Sequence, residues 1–243
     1  FDSNGICNHC TNYITKRLDV TAYKYTKEDS LENLFERIKK YKSKKSSHDV
    51  AVGISGGTDS STVTYLASKA GLKILAIHMD NCWDTPTAAQ NIQNLINLPG
   101  VDYFCQPLNW KKFRTIQRAF LESGLPDIEL PTDTAVNSTV WKTANKFNIK
   151  VILSGGNMSN EGILPASWMY NPKDTFFVNS VLKSQGLDPS IMSFIKYGLK
   201  LDIKNRFFDG IRTFYPLNKF KYDKKTSKEM LAKEINWKYP PRK

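Results

Sequence analysis

Asp49-Val50-Ala51-Val52-Gly53-Ile54-Ser55-Gly56-Gly57-Thr58-Asp59-Ser60 joins a short apolar run to a glycine turn and a helix. The run 49–54 is brief and apolar without alternation, which predicts a strand covered on both faces. Ser60–Ala70 reads as a helix stopped by Gly71. Between them, Gly56 and Gly57 let the backbone take positive φ and approach a ligand closely. Successive amides can then point into one concavity, and the helix adds its positive N-terminal end. Ser55, Ser60 and Ser61 offer hydroxyl donors, and Thr58 sits inside the loop. Asp59 would be misplaced beside phosphates unless a cation bridges them, so it is expected to hold Mg²⁺. The loop is neither GxxxxGK[ST] nor GxGxxG.

Outward from this loop, strands and helices alternate. Lys73–Met79 reads as a second, buried-type strand, Val101–Cys105 as a third, Lys150–Leu153 as a fourth and Ile211–Tyr215 as a fifth. Helices are expected from Asp84-Thr85-Pro86 to about Leu98, over Asn109–Ser123, Thr134–Phe147 and Thr226–Ile235, with two weaker ones within 172–200. That alternation predicts an α/β fold, a parallel sheet with helices on both faces. Ligands in such sheets sit beyond the carboxyl ends of the strands. Both glycine segments fall there, the second being Ser154-Gly155-Gly156-Asn157-Met158-Ser159-Asn160-Glu161. Asp80 and Asn81, after the second strand, are candidates for ribose or adenine contact.

Residues 1–47 form a separate N-terminal segment, and 48–243 the nucleotide-binding domain. The segment holds an amphipathic helix, 29–42, capped by Asp29 or Ser30, with Leu31, Leu34, Phe35, Ile38 and Tyr41 in one stripe. Phe1 at the start and the abrupt Lys238–Lys243 end lead us to expect a chain cut at both ends.

The 243 residues carry a net charge of +12, which favours anionic partners. The densest cluster, Arg37, Lys39, Lys40, Lys42, Lys44 and Lys45, ends a helix, where the dipole favours cations anyway, so it says little about RNA. No apolar run approaches the roughly 18 residues of a membrane span, and no signal peptide opens the chain, so the cytoplasm is expected. Four cysteines make no secreted disulfide framework. Cys7 and Cys10 are half a zinc site by spacing. Cys82 and Cys105 stand alone and are expected in the core.

The strand–SGGTDS–helix arrangement resembles the PP-loop of the ATP pyrophosphatases, of the adenine nucleotide alpha-hydrolase-like fold. That resemblance implies ATP cleavage between the α and β phosphates, with pyrophosphate on the loop. Ser154–Glu161 resembles the glycine segment of ammonia-dependent NAD synthetases, which implies that Glu161 holds Mg²⁺ on the same phosphates, with Gly155 and Gly156 beside the nucleotide. Further words narrow the resemblance to the N-acetyl sugar amidotransferases of surface-polysaccharide (lipopolysaccharide) biosynthesis. They are Gly5-Ile6-Cys7-Asn8-His9-Cys10, Met79-Asp80-Asn81-Cys82-Trp83, Asn91-Ile92, Glu161-Gly162-Ile163-Leu164-Pro165 and Tyr215-Pro216-Leu217-Asn218.

This implies an ATP-dependent amidotransferase that turns the acetamido group of a nucleotide-linked sugar into an acetamidino group through an adenylate, releasing AMP and pyrophosphate. Asp59 and Glu161 carry the chemistry through bound cation. Trp83, Asn157, Trp168 and Lys219 are candidates to border the sugar, with packing or surface the competing role for each. Cys82 stands in Asn-Cys-Trp, not in a glutaminase elbow. The resemblance accordingly implies a separate glutaminase and a barrel-shaped, ammonia-conducting partner, and a structural Zn²⁺ completed by another CxxC. A homo-oligomer stays open. Two alternatives remain: a tRNA thiolase of the same fold, kept alive by Cys82 and the basic charge, and a non-catalytic nucleotide sensor. Against the first, no RNA-binding appendage is recognisable and tRNA is not the expected partner. Against the second, a mere sensor needs no metal clamp on pyrophosphate.

Overall fold

A computed structural model describes residues 1–13, 30–161 and 170–239. The cap candidate Asp29, the Gly162–Pro165 part of one quoted word, and Trp168 lie outside the described residues. In chain order the elements are α1 (Asn8–Asn12), α2 (Leu31–Lys39), β1 (Val50–Gly53), α3 (Thr58–Lys69), β2 (Ile74–Asp80), α4 (Pro86–Ile96), β3 (Val101–Pro107), α5 (Trp110–Glu122) and α6 (Leu130–Lys146). β4 (Val151–Leu153), α7 (Met158–Glu161), α8 (Thr175–Ser184), a 3-10 turn (Pro189–Phe194), α9 (Leu199–Ile203), a π turn (Lys204–Phe208), β5 (Arg212–Phe214), a second 3-10 turn (Pro216–Lys219) and α10 (Lys224–Ile235) complete them.

The five strands form one parallel sheet in the order β3-β2-β1-β4-β5. Alternation along each strand decides which helices cover it. Val50, Val52, Ile74, Ala76, Val151 and Leu153 pack on one side with Leu34, Phe35 and Ile38 of α2, Val63 and Ala67 of α3, and Ile92 of α4. Ala51, Leu75, Ile77 and Ile152 pack on the other with Val140, Trp141 and Ala144 of α6. The expected parallel sheet with helices on both faces is therefore present. Each large apolar side chain so buried contributes roughly 1.5–3 kcal/mol.

Local chemistry explains the boundaries. Ser30 caps α2, accepting from Asn33 N at 3.2 Å. Thr85 caps α4 with Pro86 in its first turn. α6 begins at Leu130, four residues before the expected Thr134, because Pro131 fits a first turn where no amide partner is needed. α3 begins at Thr58 rather than Ser60, which puts Asp59 in its first turn. α10 begins at Lys224 rather than Thr226, with Asp223 accepting from Thr226 N at 2.7 Å. Among the described residues no helix is long and apolar enough to cross a membrane.

From β1 the chain moves outward through β2 to β3, then returns to place β4 on β1's other side. β1 and β4 thus flank the point where strand order reverses, the place where such sheets open a crevice at their carboxyl ends.

Candidate functional site

Both glycine segments leave strands at that reversal and face one cleft of about 990 Å³. Ser55–Ser60, Asn81, Ser154, Gly155, Gly156 and Glu161 all line it. Gly56 has φ +71°, and a Cβ there would collide with the backbone of Ala88 in α4. Only glycine satisfies both demands. Its carbonyl is held from behind by two donors, Asn91 Nδ2 and Trp237 Nε1, each at 3.1 Å. With the carbonyl drawn back, the loop can turn its amides toward the cleft.

Serine side chains order the mouth of the loop. Gly57 N donates to Ser55 Oγ at 3.4 Å, and Ser60 Oγ donates to the Gly57 carbonyl at 3.3 Å. α3, preceded by Gly57, has no side chain capping its N-terminus, as α6 and α9 also have none, but at α3 that end opens on the cleft. Its first-turn amides and its positive end are left for an anion.

The second segment lies against the first. A Cβ on Gly155 would come within 2.9 Å of Ser60 N and 3.1 Å of Asp59 C, so this glycine is required by close approach. Gly156 sits beside Glu161 and Tyr215. Glu161 Oε2 accepts from Asn157 N at 3.2 Å. Desolvation pushes the Glu161 carboxyl up, and the negative charge of Asp59 adds to this, while the Asn157 amide and Lys224 oppose it. Asp59 and Glu161 line the same cleft, and carboxylate oxygens suit a divalent cation, which accepts a few protein oxygens and keeps the rest for phosphate and water. Two carboxylates in one cleft are a donor type that fits Mg²⁺, although both Asp59 oxygens are engaged here by Tyr222 and Lys224.

Asp59 also has cationic company. Lys224 Nζ lies 3.1 Å from Asp59 Oδ2, and Tyr222 OH donates to Oδ1. Burial and that carboxylate push the Tyr222 phenol up, which keeps it a donor. Lys224 and Lys228, one turn apart on α10, both line the cleft. Sequence reading passed over Tyr222, Lys224, Lys228 and Trp237; their i, i+4 lysines looked like any solvated helix face, and only the docking of α10 on α3 brings them in. Asp133 was also missed. It stays open to solvent on α6, yet desolvation, then Asp127, Glu129 and Glu161, push its carboxyl up to about 6.

Other expected residues fall differently. Asp80 is not in the cleft lining; its Oδ1 accepts from Cys82 N at 2.8 Å. Trp83 is 49% exposed, edge-on to Trp110 and Phe113 with centroids at 6.1 and 5.8 Å. Asn157 is buried and tied to its own loop: Nδ2 donates to the Gly155 carbonyl at 3.3 Å, and Oδ1 accepts from Asn160 N at 3.0 Å. Asn218 Oδ1 accepts from Met158 N at 3.0 Å, and Tyr215 lines the cleft. Lys219 sits in the second 3-10 turn.

Cys82, expected in the core, is exposed with φ +64°, between the cleft residues Asn81 and Asp84. Cys105 is half-buried, and desolvation raises its thiol. Cys7 Sγ accepts from Cys10 N at 3.3 Å at the start of α1. Among the described residues, no third His, Cys, Asp or Glu joins Cys7 and Cys10; the one such convergent group of three is His78, Asp80 and Asp84. The cysteine segment nevertheless reaches the site, since Tyr13 OH donates to the Met158 carbonyl at 3.3 Å.

Residues 30–124, α2 through α5 with the whole Ser55–Ser60 loop, match the family model of NAD synthase. That stretch, less than half the chain, is similar to this ATP-utilising PP-loop family. No curated protein matches the chain in sequence. Among solved structures, the U34-tRNA thiolase of Methanococcus maripaludis is 15% identical with a TM-score of 0.45, covering 89% of this chain and 67% of its own. The NH3-dependent NAD synthetase of Campylobacter jejuni is 18% identical with a TM-score of 0.40, covering 75% and 95%. The glutamine-dependent NAD+ synthetase of Acinetobacter baumannii is 18% identical with a TM-score of 0.43, covering 87% and 44%. Scores below 0.5 leave all three without bearing on the chemistry.

Proposed function

We propose that this chain is a PP-loop enzyme that adenylates the oxygen of an acetamido group on a nucleotide-linked sugar and lets ammonia displace AMP. The amide oxygen attacks the α-phosphate of ATP and pyrophosphate leaves. Ammonia adds to the imidate carbon, the C–O bond breaks, and the oxygen departs on AMP. An amide oxygen is a poor leaving group until it is adenylated, so the expenditure of ATP has a chemical purpose. No side-chain nucleophile is needed; orientation, cation clamping and water exclusion carry the rate.

One observation supports this reading above the others: the uncapped loop-to-α3 junction faces the same cleft as Asp59 and Glu161. When bound, Mg²⁺ supplies charge neutralisation on the departing pyrophosphate, and Asp59 and Glu161 would hold it. Lys224 and Lys228 are placed to add positive charge on the same side. The sugar, its carrier, the separate glutaminase and the ammonia-conducting barrel rest on the sequence resemblance.

A second reading, a tRNA thiolase, is favoured by one feature: exposed Cys82 at the cleft's edge, held in a positive-φ turn. The two readings part in one assay. The chain is incubated with ATP, Mg²⁺ and ammonium, and pyrophosphate is measured with and without nucleotide-linked N-acetyl sugars. Sugar-dependent pyrophosphate, with a slightly lighter sugar by mass spectrometry, supports amidine formation. Pyrophosphate that depends on bulk tRNA and not on any sugar overturns it in favour of the thiolase.

A further inference from the structure

Helix α6 is used on three sides. Val140, Trp141 and Ala144 meet the sheet, while Asp133, Val136 and Asn137 meet the nucleotide cleft. A third side carries Ser138, Thr139, Lys142 and Thr143, spaced i, i+1, i+4 and i+5, which makes one patch. That patch lines a separate cavity of about 320 Å³, with Asn109 and Phe194 in its other walls. The cavity and the nucleotide cleft share no lining residue, and the chemistry above uses none of these groups.

The hydroxyls of this patch behave unlike others in the chain. A helical threonine can return its hydroxyl to the carbonyl four residues back. Thr62 and Thr64 do so at 2.8 Å, Thr115 and Thr134 at 2.9 Å. The hydroxyls of Ser138, Thr139 and Thr143 form no hydrogen bond among the described residues. These residues are only 2%, 6% and 5% exposed. The hydroxyls of Ser61 and Thr213 also lack partners but are sealed in; those of Ser138, Thr139 and Thr143 keep accessible surface, and their residues open on this cavity. A hydroxyl withdrawn from bulk water without a partner is costly unless something in the cavity fills its need.

Charge gives the class of ligand. Lys142 is exposed as a residue, yet desolvation pushes its ammonium below the ordinary lysine value and no carboxylate offsets this. Among the described residues it forms no ion pair. An ammonium partly withdrawn from water without a counter-charge gains from an anion. Asn109 Oδ1 is spent on Lys112 N at 3.1 Å, which leaves its Nδ2 as a further donor. A lysine and three hydroxyls on one helix face, with that amide, are donors for the oxygens of a single anionic group. The volume stands at the low end of the roughly 300–1,000 Å³ usual for ligand sites, so the molecule is compact.

We propose that this cavity is a second binding site, independent of the nucleotide cleft, which takes the phosphate or carboxylate group of a compact small molecule.

The test is calorimetry on the full chain with inorganic phosphate and, separately, malonate. At least one is expected to bind while α,β-methylene-ATP and Mg²⁺ fill the nucleotide cleft, and the tighter of the two identifies the group. Lys142→Met, and Thr139→Val paired with Thr143→Val, are each expected to lower that affinity by about tenfold, as for loss of one hydrogen bond to a charged group. The analogue should bind both variants as it binds wild type. The paired change removes unpartnered hydroxyls at nearly constant shape, so it is expected to melt no earlier than wild type. Should it fail to fold, Lys142→Met on its exposed position decides the matter alone. Unchanged affinity in the variants overturns the site, as does an anion that binds only in competition with the analogue. No binding of phosphate or malonate at millimolar concentration also overturns it, and leaves the hydroxyls to ordered water. If the analogue itself does not bind, the ATP reading falls; the same variants compared in its absence still decide the second site.

Discussion

The segment after β1 and the segment after β4 both run from a buried strand through paired glycines into a helix, yet they are held in opposite ways. The first is braced from outside: Asn91 and Trp237, distant in sequence, both hold the Gly56 carbonyl, and α4 leaves no room at Gly56 for a side chain. The second is braced mostly from within. Asn157 bonds to Gly155 and Asn160, Ser154 Oγ accepts from Gly156 N at 3.1 Å, and Glu161 accepts from Asn157 N. Its helix α7 has four residues, against the twelve of α3. A cradle for phosphate gains from being fixed before the ligand arrives. A carboxylate that follows a cation gains from a short arm.

The contrast breaks most directly at the two carboxylates. Asp59→Ala is expected to lower the rate of pyrophosphate release by about 10²–10³-fold, the range for losing one preorganised charge contact at a reacting phosphate. Glu161→Ala should cost less, about 10–100-fold, and raise the Mg²⁺ concentration needed for half-maximal rate. Equal losses would mean that both segments act as one rigid unit.

Gly56→Ala tests the external brace. Its φ of +71° and its contact with Ala88 predict a loss of about 1–3 kcal/mol of stability, read from the urea midpoint. Trp237→Phe keeps the ring packed on Tyr65 and Leu231 but deletes one of the two donors to Gly56. About 1 kcal/mol in stability and a rise of a few-fold in KM for ATP, with kcat little changed, are expected. A fall in kcat with KM constant would show that the loop's position is not what the brace sets.

The smallest effect concerns pH. In the folded chain Asp133 titrates near 6 rather than 3.8, so between those values the fold binds more protons than the unfolded chain. Stability contributed by Asp133 is then present below about pH 4 and is lost as pH rises toward 6. Asp133→Asn should flatten that slope and raise stability at pH 7 by on the order of 1 kcal/mol, allowing for solvent screening of an open carboxylate. Circular-dichroism melts across pH 4–8 would read it.

Much of the site was legible because its chemistry is local. Strand, glycines, Asp59 and the start of a helix lie within twelve consecutive residues, and backbone amides in a row need no distant partner. Glu161 was legible for the same reason, as part of a second such word. Asp80, Asn157 and Trp83 show the limit. Residue type marked them as polar or aromatic and near a loop, but hydrogen bonds to their own neighbours, or packing on α5, set where each side chain goes.

The sequence alone determined the element order, the parallel α/β class and the glycine loop, because hydrophobic periodicity and turn chemistry act over a few residues. Only the tertiary structure decided which strands flank the crevice, that the entry to α10 brings Tyr222 and Lys224 onto Asp59, that Trp237 steadies a loop 181 positions away, and that Lys173 and Arg206 meet at Asp202. Those are contacts between segments, and they are fixed by how helices pack across a sheet, which no local pattern records.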